Sequence, residues 1–248
     1  EMPILKIVNT LYYRSIMKNM TRLEREAIYA EGVKRFAAKV QRIQEYKARN
    51  PEFTYSDFGN RRAFGPAWHE YLVHRQAEIL EGTFLGPSST QLAADTATMH
   101  MGTNAHELQM VMAGLQFDGT RESLVRGIRE FLTKWWEMYG QGLSICLTVT
   151  YGSDFMFEVM TDEMVRNWKG DRHDSGDVYE FGEKVIKRVE EAGANPKEKL
   201  LVPSDGLTDE RMFAIADYFR GRIKTSFGWG THLTNDLGLG TLPIVAKP

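Results

Sequence analysis

The stretch Trp168-Lys169-Gly170-Asp171-Arg172-His173-Asp174-Ser175-Gly176-Asp177 indicates a strand that ends in a polar turn. The apolar residues that follow have the spacing of one helical face, which predicts a strand over 168–171, a turn over 172–177 and a helix from 178. In α/β proteins such turns carry the chemistry, and this one offers a guanidinium, an imidazole and carboxylates. The structural alternative is an N-cap at Asp174 or Ser175, with Arg172 in a surface ion pair. The apolar helix positions are Val178, Phe181, Val185 and Val189.

The same order of strand, polar turn and helix recurs along the chain. Strands separated by helices favour an α/β fold with a largely parallel sheet, and 248 residues suit closure into a barrel. An open doubly wound sheet is disfavoured because no Gly-x-Gly-x-x-Gly follows the first strand. The strand candidates are 53–58, 83–85, 98–101, 143–150, 168–171, 199–204, 223–227 and 242–246.

Two helices are predicted before the first strand. The first covers about 2–19, and the second runs from a capping box at Thr21 and Glu24 to the residues before Pro51. We therefore divide the chain into a helical N-terminal segment, 1–50, and a barrel domain, 51–248.

The composition excludes several classes of partner. The net charge of −2, with acidic and basic residues interspersed, predicts no nucleic-acid partner. No apolar run approaches a membrane span and no signal-like segment opens the chain, so we expect a soluble protein. The single cysteine, Cys146, lies in an apolar run and predicts a buried thiol in a reducing compartment, the cytoplasm. Glu1 and Pro248 look like cut ends, as in a fragment or processed product.

His106 is the candidate nucleophile. It lies in the first turn of a predicted helix, with Asn104 as the expected N-cap, where a negative charge is favoured and a protonated imidazole is not. A neutral histidine that is phosphorylated fits this position, whereas the plainer reading is a histidine that packs at a helix start. Of the remaining histidines, His69 and His74 are predicted on a surface helix, and no spacing indicates zinc.

Other strand-end turns offer groups that bind anions and sugars. Arg61 and Arg62 suit pyrophosphate or a carboxylate, with a surface arginine pair as the alternative. Asp205, in Ser204-Asp205-Gly206, either binds ribose hydroxyls or forms an Asx turn. Gly228-Trp229-Gly230-Thr231 precedes a possible short helix, as phosphate-binding loops do, or is an ordinary turn. If the barrel prediction is right, all these turns meet at one mouth of the sheet.

Five ordered motifs carry a resemblance to a known family. The chain resembles nicotinate phosphoribosyltransferases, and the resemblance covers nearly its whole length. Each motif alone is a weak signal, but a chance match of all five in order is very improbable. The motifs are Asp57-Phe58-Gly59-Asn60-Arg61-Arg62, Met101-Gly102-Thr103-Asn104-Ala105-His106-Glu107, Arg172-His173-Asp174-Ser175-Gly176-Asp177, Ser204-Asp205 and Ser226-Phe227-Gly228-Trp229-Gly230-Thr231.

The resemblance implies an irregular, incomplete α/β barrel of the type II phosphoribosyltransferases, with the active site at a homodimer interface. It implies transfer of phosphoribose from phosphoribosyl pyrophosphate to nicotinate, coupled to ATP hydrolysis through a phosphohistidine, with Mg²⁺ on the pyrophosphate. The segment 1–50 would be the remnant of an N-terminal domain. By this resemblance the catalytic residues are His106 (the phosphorylated one), Arg172 and Asp174, and the substrate-binding residues are Phe58 (against the pyridine), Arg61, Arg62, Ser88, Asp205, Gly228, Gly230 and Thr231.

The sequence also departs from the family pattern. The family's N-terminal Thr-Asp-x-Tyr-Lys-type motif is missing here. Asn60 replaces the threonine or tyrosine that is usual in the family, and the family's usual final segment is absent. Val149 stands where the family leads us to expect an aspartate, and a valine cannot bind a cation. Nicotinamide phosphoribosyl transfer, or a non-catalytic remnant that only binds a ligand or partner, therefore stay as alternatives.

Overall fold

The computed structural model describes residues 2–245. They fold into two compact units. Within the described residues, the first unit comprises 2–101, 204–214 and 227–245, and the second comprises 102–203 and 215–226.

The helices are α1 (Met2–Ile16), α2 (Arg22–Arg49), α3 (Pro66–Ile79), α4 (Thr90–Asp95), α5 (His106–Gln116), α6 (Arg121–Tyr139), α7 (Ser153–Val159), α8 (Asp162–Asn167), α9 (Val178–Glu191), α10 (Asp209–Phe219) and α11 (Thr231–Thr234). Short 3-10 helices cover Asn60–Arg62, Gly140–Leu143 and Pro196–Glu198. The strands are β1 (Tyr55–Asp57), β2 (Phe84–Pro87), β3 (Ile145–Leu147), β4 (Gly170–His173), β5 (Leu200–Pro203), β6 (Lys224–Thr225) and β7 (Phe227–Trp229).

The first unit is built on a parallel sheet in the order β2-β1-β7. Its central strand is buried on both faces, so every residue from Tyr55 to Asp57 is inaccessible. Ser56 pairs with Gly228 across the sheet, which brings the chain after β1 beside the chain after β7. Because parallel strands end at the same edge, the polar turns that follow these strands share one edge of this sheet.

Helix α2 packs on the first unit through an apolar face. Phe36, Val40 and Ile43 are buried at helical spacing, as expected for an amphipathic helix. The predicted capping box is present: the Glu24 amide donates to the Thr21 hydroxyl at 3.2 Å, and the Thr21 amide donates to the Glu24 carboxylate at 2.7 Å.

The second unit is built on a parallel sheet in the order β3-β4-β5-β6. Leu147 at the end of β3 pairs with Arg172 of β4. Helix α9 covers this sheet with the apolar face predicted from the sequence, since Val178, Phe181, Val185 and Val189 are all buried. Its N-cap is Asp177, whose carboxylate accepts from the Tyr179 and Glu180 amides at 2.8 and 2.9 Å. A cap at Asp174 or Ser175 is therefore wrong, because the helix begins later than either would require.

The predicted fold class is confirmed: the chain is α/β, with parallel strands in an incomplete arrangement. Closure into a full barrel is wrong for residues 2–245, whose strands form two separate sheets. The expected strand at 98–101 is absent, because Met99 and Met101 only donate single hydrogen bonds to Leu85 and Pro87 beside β2. Residues 242–245 form no strand, and Ala246 of that candidate lies outside the described residues. The predicted division at residue 50 stays a prediction.

Along residues 2–245, none of the helices combines the length and the apolar composition that crossing a bilayer requires.

Candidate active site

His106 lies at the first position of α5 and is held on both ring nitrogens. Its Nδ1 lies 3.0 Å from the Thr150 hydroxyl, and its Nε2 lies 3.2 Å from a carboxylate oxygen of Asp174. The side chains of His106 and Asp174 are each 20% exposed, so the pair is partly desolvated but reachable. Sequence and structure thus agree that this histidine opens a helix.

Arg172 extends the contacts around His106. One guanidinium nitrogen donates to Asp174 at 2.8 Å, and another donates to the Thr103 hydroxyl at 3.0 Å. The result is a continuous chain of polar contacts, which we call the His106 cluster, formed by Thr103, Arg172, Asp174, His106 and Thr150. Arg172 does form an ion pair, but the alternative that placed this pair on the surface is wrong, since the Arg172 side chain is only 17% exposed.

Two neighbouring strands of the second unit, β3 and β4, explain why these groups meet. Arg172 belongs to β4 and Asp174 follows one residue after its end, while Thr150 follows three residues after the end of β3. Since β3 and β4 are parallel neighbours, the residues that follow them emerge at one edge. His173, the last residue of β4, instead lies in the core, where it is 1% exposed and lies against the Phe181 ring.

The geometry fixes the protonation pattern of a neutral His106. A carboxylate only accepts hydrogen bonds, so Asp174 pairs with a protonated Nε2. Nδ1 then keeps its lone pair and accepts from the Thr150 hydroxyl. Among residues 2–245 no side chain caps α5, so the helix end that begins at His106 keeps free amides and the partial positive charge of an N-terminus. The cluster therefore presents an oriented imidazole beside a helix N-terminus, where a negative charge is favoured.

Asn104 does not cap α5, contrary to the sequence prediction. The N-cap is Ala105, and the Asn104 side chain instead bonds β3. An asparagine before a helix has several backbone groups within reach, and here the strand offers both a donor and an acceptor.

A second group of predicted residues meets in the first unit. The Phe58 amide donates to the Trp229 carbonyl at 2.9 Å, and the Phe58 ring covers Gly228 so closely that a Cβ there would overlap it. Arg61 and Arg62 lie in the 3-10 turn that follows. That turn packs on α11 through Gly59, because the Thr234 hydroxyl donates to the Gly59 carbonyl at 3.2 Å. The predicted short helix after Gly230 is confirmed as α11.

An unpredicted buried pair supports this turn. His69, expected on a surface helix, is 0% exposed, and its Nε2 lies 2.5 Å from a carboxylate oxygen of Asp57. The other Asp57 oxygen accepts from the Gly59 amide at 2.6 Å. The prediction for His69 is wrong because α3 turns this side chain onto the end of β1.

Two further predicted residues also lie in the first unit. The Ser88 amide donates to the Asp57 carbonyl at 2.8 Å, which places Ser88 beside the end of β1. Its buried hydroxyl oxygen has no hydrogen-bond partner among the described residues. Asp205 is exposed in the turn before α10.

The remaining groups of chemical interest are the thiol of the one cysteine and the side chains able to bind metals. Cys146 is buried in β3, and burial raises the pKa of its thiol well above the usual range, so the prediction of a buried thiol is confirmed. Residues 2–245 contain no group of three or more histidine, cysteine, aspartate or glutamate side chains placed to hold a metal ion.

Comparison with known proteins decides the family. A sequence profile of the nicotinate phosphoribosyltransferase (NAPRTase) family matches residues 53–247. This chain belongs to the nicotinate phosphoribosyltransferase family. The nicotinate phosphoribosyltransferase of Porphyromonas gingivalis has a similar fold, with a TM-score of 0.85 and 29% identity over 100% of this chain and 59% of that one. That of Vibrio cholerae gives a TM-score of 0.84 and 26% identity over 96% of this chain and 54% of that one. The chain thus spans somewhat more than half the length of these family members.

Sequence reasoning missed two members of the His106 cluster in this member of the family. Thr103 lies inside a quoted motif and Thr150 lies just after the strand 145–147, so position alone marked both as strand-end polar residues. The departure from the family pattern at Val149 gave no indication that the neighbouring Thr150 hydroxyl contacts the histidine. The pairing of Thr150 with His106 spans 44 residues and has no local signal.

Proposed function

We propose that this chain carries the chemistry of pyridine phosphoribosyl transfer. Nicotinate would attack the anomeric carbon of phosphoribosyl pyrophosphate through its ring nitrogen, giving nicotinate mononucleotide and pyrophosphate. The step would be coupled to ATP hydrolysis through phosphorylation of His106, as part of NAD biosynthesis. The observation that carries the proposal is the His106 cluster in a chain of this family.

The cluster suits the phosphorylation half of the cycle. Nδ1 of His106 would attack the γ-phosphorus of ATP, forming the N–P bond as the bond to ADP breaks, after the Thr150 hydroxyl turns aside. Asp174 would hold the proton on Nε2 throughout, and the N-terminus of α5 would stabilise the phosphoryl oxygens. Arg172 lies beside Asp174 and would attract the anionic substrate.

The polar turns of the first unit suit the phosphoribosyl half. Phe58 offers a ring face for the pyridine, and Arg61 and Arg62 offer guanidinium groups for pyrophosphate. The backbone from Gly228 to Thr231 would bind the 5-phosphate at the start of α11, Ser88 would offer its hydroxyl, and Asp205 would hold the ribose.

Magnesium is proposed as a companion of the substrate. The described residues do not fit a protein-only metal cage, whereas Mg²⁺ commonly binds substrate phosphates with one or two carboxylates and retained waters. Magnesium phosphoribosyl pyrophosphate is therefore the proposed form of the substrate.

A homodimer in the cytoplasm is the proposed setting. Ile4, Ile7 and Leu11 are each more than half exposed at helical spacing on α1, a surface that a second copy would bury. The one cysteine is a buried thiol, which is compatible with a reducing compartment. Sedimentation of the purified chain over a concentration series would test the dimer.

The direct test is labelling with γ-labelled ATP. We expect acid-labile phosphate on the wild-type chain and on His74→Gln, and none on His106→Gln. Label that persists in His106→Gln would overturn the phosphohistidine. Turnover with nicotinate and with nicotinamide, each with phosphoribosyl pyrophosphate, tests the reaction, and equal or better use of nicotinamide would replace the proposed substrate.

One residue favours a second candidate function. Val149 lies between the end of β3 and Thr150 and offers no ligand to a cation, which supports a chain that binds phosphoribosyl ligands without catalysis. Calorimetric binding of phosphoribosyl pyrophosphate without turnover would favour this candidate, and robust turnover would exclude it.

A further inference from the structure

The outer strand of the second sheet is completed by a side chain. Within the described residues, β3 has a strand neighbour on one side only, β4. On its other side the Asn104 amide nitrogen donates to the Ile145 carbonyl at 2.9 Å, and the Asn104 amide oxygen accepts from the Leu147 amide at 3.2 Å. A neighbouring parallel strand would bond the same two residues, i and i+2, in the same way. Asn104 therefore takes the place of one residue of a neighbouring strand.

Gln109 doubles this connection from inside α5. Its amide nitrogen donates to the Asn104 oxygen at 3.1 Å and to the Leu147 carbonyl at 2.7 Å. Asn104 is 1% exposed and Gln109 is 0% exposed, so these bonds form away from water, where an amide without partners is costly. The two amides fix the chain to β3 on both sides of His106.

The position of His106 follows from this attachment. His106 lies two residues after Asn104 and three before Gln109, so its backbone is held between two points on the same strand. The partners of its ring come from the continuations of β3 and β4, namely Thr150 and Asp174. The amides thus set the register between the helix that carries the imidazole and the sheet edge that carries its partners.

We propose that Asn104 and Gln109 are positioning residues that hold the His106 imidazole in register with Asp174 and Thr150. They do not contact the reacting atoms and act through the backbone of 104–109. In its consequence for catalysis the inference rests on the proposed function, but the imidazole geometry can be measured without turnover.

Isosteric substitutions test the amide chemistry. Asn104→Asp keeps the shape and the acceptor but loses the donor to Ile145, and it places a carboxylate beside that carbonyl. Gln109→Glu loses both of its donated bonds. Asn104→Ser is a milder variant that leaves room for a water at the strand edge, in case the other two do not fold. Ser123→Ala is the matched control, since Ser123 is equally buried in the same unit and bonds only near the start of α6.

The readout independent of activity is the ¹⁵N NMR spectrum of His106 in substrate-free protein. We expect the wild-type chain and Ser123→Ala to show one fixed tautomer with the proton on Nε2, and the variants at 104 and 109 to show averaged tautomers. Folded Asn104→Ser and Gln109→Glu proteins with the wild-type ¹⁵N pattern would overturn the proposal.

Phosphorylation kinetics give the second readout. If His106 is phosphorylated by ATP, displacing it by about 1 Å should slow labelling roughly 10²-fold. The KM for phosphoribosyl pyrophosphate should stay within about twofold, since the lost bonds lie within 104–147. An unchanged labelling rate in these variants would contradict the positioning role. If the wild-type protein takes up no label, the proposed phosphorylation is wrong, and the NMR measurement alone tests the positioning role.

Discussion

At the scale of single residues, Asp174 is the group on which the His106 cluster depends. Its two carboxylate oxygens serve different partners, Nε2 of His106 at 3.2 Å and Arg172 at 2.8 Å. Asp174→Asn removes the charge that favours a protonated Nε2 and leaves Arg172 facing a neutral amide. We expect labelling of His106 by ATP to slow roughly 10- to 100-fold, as for other groups that orient a functional histidine. Rapid-quench labelling measures this rate.

Asp154→Asn is the control for that change. Asp154 lies in the same unit but is 79% exposed and pairs only with Lys184 in the described residues. Equal labelling rates for the two variants would show that Asp174 does not orient the histidine.

Gly228 is the second residue whose substitution tests the proposed site. Since the Phe58 ring covers it, a methyl group in Gly228→Ala would push the ring from its place above β7. Loss of an aromatic contact worth up to about 1.4 kcal/mol corresponds to a KM for nicotinate about tenfold higher. Gly65→Ala is the control, because nothing lies within 4 Å of its added Cβ. Initial-rate measurements that give the wild-type KM for Gly228→Ala would contradict the proposed place of the pyridine.

Residue identity predicted part of this site. The sequence marked Arg172 and Asp174 by their place after a predicted strand and His106 by its place at a helix start, and the structure brings these three together. It could not assign Asn104 or His69, because an amide or an imidazole near a turn has several possible partners and only the folded neighbours decide among them. The partner of Asn104 lies 41 residues away and that of His69 lies 12 away.

At the scale of secondary-structure elements, β4 carries a half-buried carboxyl, Asp171, next to Arg172 in the sequence. Burial raises the pKa of Asp171 to about 7, against the attraction of Lys199 and Arg188, which lowers it. A pKa raised in the folded state means that the folded chain holds this proton more tightly. Its contribution to stability is therefore complete below about pH 3.8, the usual value, and is lost as the pH rises toward 7.

Asp171→Asn should remove that pH dependence. Between pH 5 and 7 the wild-type free energy of unfolding should fall relative to the variant, by up to about 1.4 kcal/mol per pH unit. Urea unfolding at both pH values measures the difference. Asp118→Asn is the control: hydrogen bonds of Thr120 and Ser123 lower the pKa of Asp118 to about 2, so it is ionised throughout this range. A difference between wild type and Asp171→Asn that does not change with pH would contradict the assignment.

At the scale of the whole molecule, α2 is part of the first unit rather than an appendage. Lys39 is 4% exposed, and its ammonium donates to the His232 carbonyl at 2.5 Å and to Asp236 at 2.6 Å. Arg42, one turn further on, pairs with the buried Asp209 at 2.5 Å. These contacts join α2 to the segment after β7 and to the start of α10. Both lie about 170 to 200 residues later in the chain.

Lys39→Ala should therefore destabilise the fold strongly. Removing one partner of a buried ion pair leaves Asp236 without its closest cation and costs about 3 kcal/mol or more. Lys34→Ala, on the same helix, is the control, since Lys34 is 82% exposed and should change stability by no more than about 0.5 kcal/mol. Chemical denaturation compares the two, and equal midpoints would show that Lys39 does not hold α2 in place.

The sequence predicted the α/β class and most helices from periodicity, which is a local property. It did not predict that the strands form two sheets, because the pairing of β1 with β7 joins residues some 170 positions apart. The prediction of a strand at 98–101 was wrong for a related reason. A β-prone composition does not supply a neighbouring strand that both accepts hydrogen bonds from this segment and donates hydrogen bonds to it.

The amide of Asn104 also has a consequence for solubility. An outer strand presents a row of unsatisfied backbone groups to which a strand of another molecule can add. By occupying the Ile145 carbonyl and the Leu147 amide, one side chain makes β3 a poor template for such addition. The two bonds of Asn104 thus leave fewer open backbone groups along that edge for a strand of another molecule.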